Sequence, residues 1–333
     1  MAELRYNLIS REWVIIATER AKRPQDFVKV KKEIKPMSAY KENCPFCPGN
    51  ENQTPQETFR LGPADSWKVR SVYNKFGALS KEAPRFRNMD GLSSSMGGFG
   101  DCEVIIEHPR HDTNIVFMNN EEVENIITAY KNRYESIQKE EGIENIVIFK
   151  NHGPAAGTSL EHPHSQLIAT PIVPPQIRGR VERAVGYFDF TGQCLFCQTL
   201  QEELKSGERI ILETEKFVSF IPYAAMSPFH VWIFPRRHAP SFGDISVEEI
   251  KDLAINLKTT LAKLYHGLDN PDYNYTIRSM PVNEKGTKYF HWYLSIIPRV
   301  SQPAGFELGS GMFINAALPE ASAEFLRHID SVR

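Results

Sequence analysis

Apolar residues recur at three- and four-residue spacing in two stretches, Val123, Ile126, Ile127, Tyr130 and Tyr134, then Ile250, Leu253, Leu257, Leu261 and Leu264. That spacing predicts two amphipathic helices, each laying one face on a sheet. Each run opens with a capping pair, Asn119 with Glu122 and Ser246 with Glu249, which marks a helix start. Strand-like runs ending in a basic turn precede both, Cys102 to His111 and Phe229 to His238. Two more strand-like runs follow each helix: Asn145 to Lys150 and His164 to Pro171, then Tyr273 to Arg278 and His291 to Pro298. The two basic-turn runs, the two caps and the two last strands are each offset by 127 residues. A strand–helix–strand–strand unit occurring twice predicts an α+β fold made by duplication. Its sheets should be mainly antiparallel, since the helices are too few for a doubly wound parallel sheet. Prolines at 163, 171, 174 and 175 place the boundary between Pro171 and Arg180, giving units 1–178 and 179–333. The stretch Asn88 to Gly100, rich in serine and glycine, reads as a mobile loop.

A length of 333 residues agrees with two units of about 150 each. Lys and Arg number 39 against 41 Asp and Glu, so no positive field draws the chain to nucleic acid or to anionic lipid. No apolar run approaches the roughly 18 residues that span a bilayer. The first residues, Met1 to Tyr6, enter folded-looking sequence at once, so no secretory leader and a cytoplasmic location are expected. Thiols there stay reduced, and paired cysteines read as metal ligands rather than disulfides.

Four of the five cysteines form two C-x-x-C pairs, Cys44 with Cys47 and Cys194 with Cys197, each followed downstream by histidines. Two thiolates at that spacing can reach one tetrahedral zinc. Cys102, alone in an apolar run, reads as a buried small hydrophobe. The densest polar cluster is Glu161-His162-Pro163-His164-Ser165-Gln166. On a strand, His162, His164 and Gln166 project from one face. Just upstream, Asn151 to Ser159 is a small-residue loop whose backbone can approach a phosphate closely. A zinc-stabilised interaction module would explain the cysteines but neither this strand nor its loop.

The segment His162 to Gln166 resembles the active-site strand of the galactose-1-phosphate uridylyltransferases, within the wider histidine-triad fold. Tyr6 to Ile16, Arg20 to Pro24 and Val72 to Phe76 resemble the same family. The resemblance implies two tandem histidine-triad-like units and a zinc-dependent nucleotidyltransferase of galactose and carbohydrate metabolism. His164 would be the nucleophile that becomes nucleotidylated, Gln166 would hold the phosphoryl oxygen, and Ser159 would contact the leaving phosphate. Arg20, Asn74, Asn151, Gly157 and Thr158 would help bind substrate. Cys44, Cys47, His111 and His162 match a structural zinc set, with His108 competing for the place of His111. Cys194, Cys197, His238 and His291 follow in the same order as a second zinc set, with His230 a further candidate. The 127-residue offset sets His291 opposite His164 rather than His162, and no glutamine follows His291 by two, so only the first half should be catalytic. The implied partners are a nucleotide sugar with a hexose-1-phosphate or phosphate, and a second copy of the chain in a homodimer. UMP transfer from UDP-glucose to a hexose-1-phosphate leads. Gly305 to Met312 lacks the polar residues that hold a hexose and is similar to the ADP-glucose phosphorylase branch, which moves AMP to phosphate. Transfer to water, as in histidine-triad hydrolases, is the third reading.

Overall fold

The structure is a computed structural model, and it describes residues 2–17, 24–27, 37–284 and 286–331. Both caps form as the sequence predicts. Asn119 accepts from Glu122 N–H at 3.0 Å while Glu122 accepts from Asn119 N–H at 2.7 Å. Ser246 and Glu249 make the same reciprocal pair. They start helices α1 (Asn120–Ile137) and α4 (Val247–Leu268). Between these lie α2 (Pro175–Thr191) and α3 (Leu195–Ser206), and α5 (Gly305–Ser310) and α6 (Pro319–His328) follow.

Strands β1 (Glu3–Asn7) and β2 (Glu12–Ile16) open the chain. Next come β3 (Glu57–Leu61), β4 (Val69–Tyr73), β5 (Arg87–Asp90), β6 (Ser93–Met96), β7 (Asp101–Ile106), β8 (Asn145–His152) and β9 (His164–Thr170). The second half adds β10 (Ile210–Glu213), β11 (Phe217–Phe220), β12 (Val231–Pro235), β13 (Tyr273–Arg278), β14 (Tyr293–Pro298) and β15 (Phe313–Asn315). Ten of them form one sheet in the order β10-β11-β12-β14-β13-β8-β9-β7-β4-β3. Every neighbouring pair in it is antiparallel. Five strands come from each repeat, and β8 and β13 join the halves at the centre. The boundary expected at 178/179 falls inside α2, and the two halves share a single sheet. A small second sheet ties the chain's beginning to its end, with β15 parallel to β2.

Helices α1 and α4 cover one face of the large sheet. There Ile126, Ile127 and Tyr130 of α1 and Leu253, Leu257 and Leu261 of α4 pack on Ile105, Ile148, Leu167, Ile277, Leu294 and Ile296. This is one core across both halves. On the opposite face α2 and α3 cover β12 and β14 around Phe196, Trp232, Phe234 and Tyr293. Among the described residues the first half leaves that face open beside a cluster of Cys44, Phe46, Cys47 and Trp67. One expectation is corrected: within Asn88 to Gly100, residues 93–96 pair back on 87–90 as the hairpin β5–β6. Gly91 supplies the positive φ of 59° at its tip, which a tight two-residue turn favours. Serine-rich composition concealed it, because serines on a strand exposed on both faces show no apolar alternation. Cys102 is buried in β7, as expected.

Candidate active site

His164 opens β9, opposite Ile106 of β7. Strand alternation sends Ser165, Leu167 and Ala169 toward α1 and leaves His164 and Gln166 on the open face. His164 Nδ1 lies 2.8 Å from the carbonyl of His162. A carbonyl only accepts, so Nδ1 carries the proton and Nε2 keeps its lone pair. Burial pushes the imidazole pKa of His164 down, so the ring is neutral and nucleophilic at neutral pH. It faces a cleft of about 760 Å³ lined by Phe46, Asn74, Phe76, Ser159, Leu160 and Gln166 among others. That is room for a nucleotide-sized ligand. Phe46 packs on His164 with ring centroids 5.5 Å apart.

Asn151 and Thr158 line an adjoining hollow of about 330 Å³ that shares Ser159, Leu160 and His164 with the cleft. Gly157 ends the short turn before Thr158 at a left-handed φ of 86°. Gly153, at φ 83°, passes so close to the residue that precedes β13 that an added Cβ would lie 2.3 Å from the Asp272 carboxyl. Asp272 accepts from Ala155 N–H at 2.6 Å, and Asn274 donates to Asn151 Oδ1 at 2.8 Å and to the Ala156 carbonyl at 2.9 Å. The second half therefore holds the first half's loop in place. Asn74 accepts from Phe76 N–H at 3.0 Å, shaping the far wall. Arg20 lies outside the described residues.

Beneath His164, on the helix side, runs a polar network that the sequence reading missed. Lys150 donates to the His164 carbonyl at 3.2 Å and pairs with Glu107, and neither side chain is more than 2% exposed. Glu107 also accepts from Ser165 and from Tyr130, whose hydroxyl lies 2.6 Å from that of Tyr275. Burial drives the Glu107 carboxyl up, but the Lys150 ammonium and these donors outweigh it and hold the pKa below the usual carboxylate range. A signal was present: Lys150 follows Ile146 and Ile148 on the core face of β8, and Glu107 continues the face of Ile105. A charge in register with core positions needs a buried partner.

Cys44, Cys47, His111 and His162 converge, all buried. His162 Nδ1 lies 3.8 Å from Cys44 Sγ, 3.6 Å from Cys47 Sγ and 3.3 Å from His111 Nδ1, and Cys47 Sγ is 3.6 Å from His111 Nδ1. A tetrahedral ion with metal–sulfur bonds of about 2.3 Å and metal–nitrogen bonds of about 2.0 Å needs its ligand atoms roughly 3.3–3.8 Å apart. The four residues fit. His162 Nε2–H donates to the His108 carbonyl at 2.7 Å, which turns Nδ1 toward the cluster. Burial lowers the pKa of His162 to about 4 and also lowers that of His111, so both imidazoles are neutral, the form that can ligate a metal. His108 is occupied elsewhere: its Nδ1 accepts from Arg110 N–H at 2.9 Å and its Nε2 lies 3.2 Å from Glu122.

In the second half Cys194, Cys197 and His238 gather with ligand atoms within 4.8 Å of one another. Cys197 Sγ is 3.2 Å from His238 Nδ1 and 3.3 Å from His291 Nδ1. His291 thus reaches one cysteine but not the common group of three. A hydrogen bond from Cys197 pushes the Cys194 thiol down to about 5. His230 is not at this cluster; its Nε2 lies 2.8 Å from Ser295 Oγ. The strands also refine the repeat: β9 begins two residues beyond His162 and β14 two residues beyond His291, each of which lies within reach of a C-x-x-C cysteine. His291 therefore answers to His162, and Tyr293 takes the place of His164. The offset of 127 holds through the caps and slips to 129 in the last strand.

Two family models match this chain, galactose-1-phosphate uridyl transferase N-terminal domain over residues 1–174 and its C-terminal domain over 180–302. An ADP-glucose phosphorylase of Arabidopsis thaliana is 38% identical over 332 residues, spanning 98% of this chain and 93% of that protein. A galactose-1-phosphate uridylyltransferase of Thermotoga maritima is 29% identical over 340 residues, spanning 99% of each. The crystal structure of an ADP-glucose phosphorylase from Arabidopsis thaliana with bound ADP-glucose superposes with a TM-score of 0.85 at 33% identity, covering 99% of both chains. With both halves matched by the family's two domains and the fold shared, the chain belongs to the galactose-1-phosphate uridyl transferase family.

Proposed function

We propose that this chain is a nucleotidyltransferase that takes a nucleoside monophosphate from a nucleotide sugar onto His164 and passes it to a phosphate-bearing acceptor. The observation that carries this reading is His164 itself, with Nδ1 committed to a carbonyl and Nε2 open to the cleft beside Gln166 and Ser159. Nε2 attacks the α-phosphorus, the bond to the bridging oxygen breaks, and the hexose-1-phosphate leaves with the electron pair. Nδ1–H remains on the His162 carbonyl, so no proton has to move at the ring. Gln166 donates to the non-bridging oxygen as charge builds there, and Ser159 with the loop from Asn151 to Thr158 holds the departing phosphate. An acceptor phosphate oxygen then attacks the same phosphorus, and the P–N bond returns its electrons to Nε2.

In the first acceptor reading, UMP passes from UDP-glucose to a hexose-1-phosphate. In the second, AMP passes from ADP-glucose to phosphate. The 38% identity to the plant phosphorylase over nearly the whole chain favours the second. So does α5, where Gly305 to Ser310 offers few polar side chains for sugar hydroxyls. We assign zinc to Cys44, Cys47, His111 and His162, where four protein ligands leave no open position and its contribution is to pin the start of β9. Zinc at Cys194, Cys197 and His238, with His291 as the fourth ligand, is the corresponding proposal for the second half. A homodimer and a cytoplasmic location complete the reading, and no helix among the described residues is long and apolar enough to cross a membrane. The test is intact-protein mass after brief incubation with UDP-glucose or ADP-glucose without acceptor. A uridylyl adduct discharged by galactose-1-phosphate supports the first reading, and an adenylyl adduct discharged by phosphate supports the second. Consumption of either sugar by water alone would refute transfer.

A further inference from the structure

The second half covers with α2 the face that the first half opens as a cleft. Aligning Ser295 with Gln166 sets the register of the strand beside it. Phe149 pairs with Gln166 and Thr276 pairs with Ser295, so Arg278 stands where Asn151 stands. Arg278 is itself the cross-strand partner of Tyr293. The positions that carry Asn151, His164 and Gln166 in one half thus carry Arg278, Tyr293 and Ser295 in the other.

Around them are donors without acceptors. Trp232 Nε1–H donates to His230 Nε2 at 3.1 Å, so the His230 proton sits on Nδ1, and that atom is buried with no partner. Arg180, on α2 above this face, is only 8% exposed, and its Nε and Nη1 are buried with no partner. Among the described residues neither Arg180 nor Arg278 has an ion pair or a side-chain hydrogen bond. The two guanidiniums lie close enough to act on one another: burial first, then Arg180, lowers the pKa of Arg278, while Glu12 reaches it only weakly. Burial and the same two cations push His230 down to about 3. The buried Arg180 charge, with unsatisfied N–H groups and the half-buried Arg278 guanidinium of the same sign acting on it, is costly unless an anion completes it. A guanidinium fork suits the oxygens of a phosphate.

We propose that Arg180, Arg278 and His230, with Tyr293 and Ser295, form a second phosphate-binding site, a non-catalytic twin of the active site with tyrosine in place of the nucleophile. Its ligand is a phosphoryl dianion, supplied either as inorganic phosphate or as the terminal phosphate of a hexose monoester. Without a histidine at 293 no covalent adduct forms there, so the site binds and senses. It stands apart from the transfer reading, because its readout is binding and not turnover.

The experiment compares wild type with Arg180→Met and Arg278→Met by equilibrium dialysis with labelled inorganic phosphate, and in a separate arm with glucose-1-phosphate. Each variant should bind one equivalent fewer of whichever anion is the ligand, while adduct formation at His164 stays unchanged. In phosphate-free buffer Arg180→Met should melt above wild type, because an unpaired buried charge has gone; added phosphate should raise the wild type further than either variant, since the cleft at His164 is kept in all three. Arg180→Lys, which keeps the charge and loses the fork, should bind more weakly than wild type and covers the case where a methionine variant fails to fold. Equal binding in wild type and variants overturns the site. So does a wild-type midpoint that depends on protein concentration and ignores phosphate, since a carboxylate from a second copy would then fill the pocket.

Discussion

Replacing Lys150 by methionine removes one member of the ion pair under His164 and leaves Glu107 buried, with only the Ser165 and Tyr130 hydroxyls to face it. Breaking a buried pair by deleting one partner costs about 3–5 kcal/mol. Unfolding entropy is about 2.1 cal/mol/K per residue, or roughly 0.7 kcal/mol/K for a chain of this length. If the chain melts as one unit, as its continuous sheet implies, Tm falls by about 4–7 °C. Replacing both partners, Lys150→Met with Glu107→Gln, should recover most of that loss, because a neutral pair of similar volume no longer strands a charge. Calorimetry on the two single variants and the double closes a cycle that isolates the pair. The pH dependence has a definite sign. Glu107 is held below its ordinary pKa, so its contribution is present above the usual carboxylate range and lost as pH falls through the folded value. The gap between wild type and Lys150→Met should therefore narrow in acid. A Lys150→Met protein that melts within about a degree of wild type, or a double variant less stable than either single, would refute a charged buried pair.

His164→Ala should fold and keep its metal content but form no covalent adduct, and turnover persisting in it would remove the nucleophile assignment. Cys44→Ser should lower metal content and thermal midpoint together, as read by elemental analysis and melting; full metal occupancy would show the ligand set is drawn wrongly. Because burial lowers the pKa of His164, the single-turnover adduct rate should hold as pH falls through about 6.5, the ordinary histidine value, and decline only below it. A rate that halves at that ordinary value would contradict the burial argument. Gly153→Ala forces a Cβ into the Asp272 carboxyl and puts alanine at φ 83° and ψ 159°, a region essentially reserved for glycine, at about 1–3 kcal/mol for the backbone alone. Loss of nucleotide-sugar affinity is expected, and unchanged KM would free the loop from a role in binding.

Much was determined by the sequence itself. Helices α1 and α4, their caps, the strands that frame them, the α+β duplication and the side-by-side placement of His164 and Gln166 follow from periods of three to four residues and of two. These are short-range consequences of backbone geometry, and residues a few positions apart suffice to read them. The C-x-x-C pair of Cys44 and Cys47 marked a candidate metal site, while its grouping with His111 and His162 was implied by the family resemblance and not by spacing; the structure brings the four together. What only the tertiary structure decided lies between segments far apart in the chain. That the halves join through β8 and β13 in one sheet, that Asn274 and Asp272 brace the loop of the other half, and that Lys150 meets Glu107 beneath His164 all depend on strand register. The two-residue slip that puts Tyr293, not His291, in the place of His164 is of the same kind. Register is set by packing a whole face against a shared core, and a shift of one residue would turn every side chain to the wrong side. No local pattern carries that information, because the free energy that selects it is spread over the entire sheet.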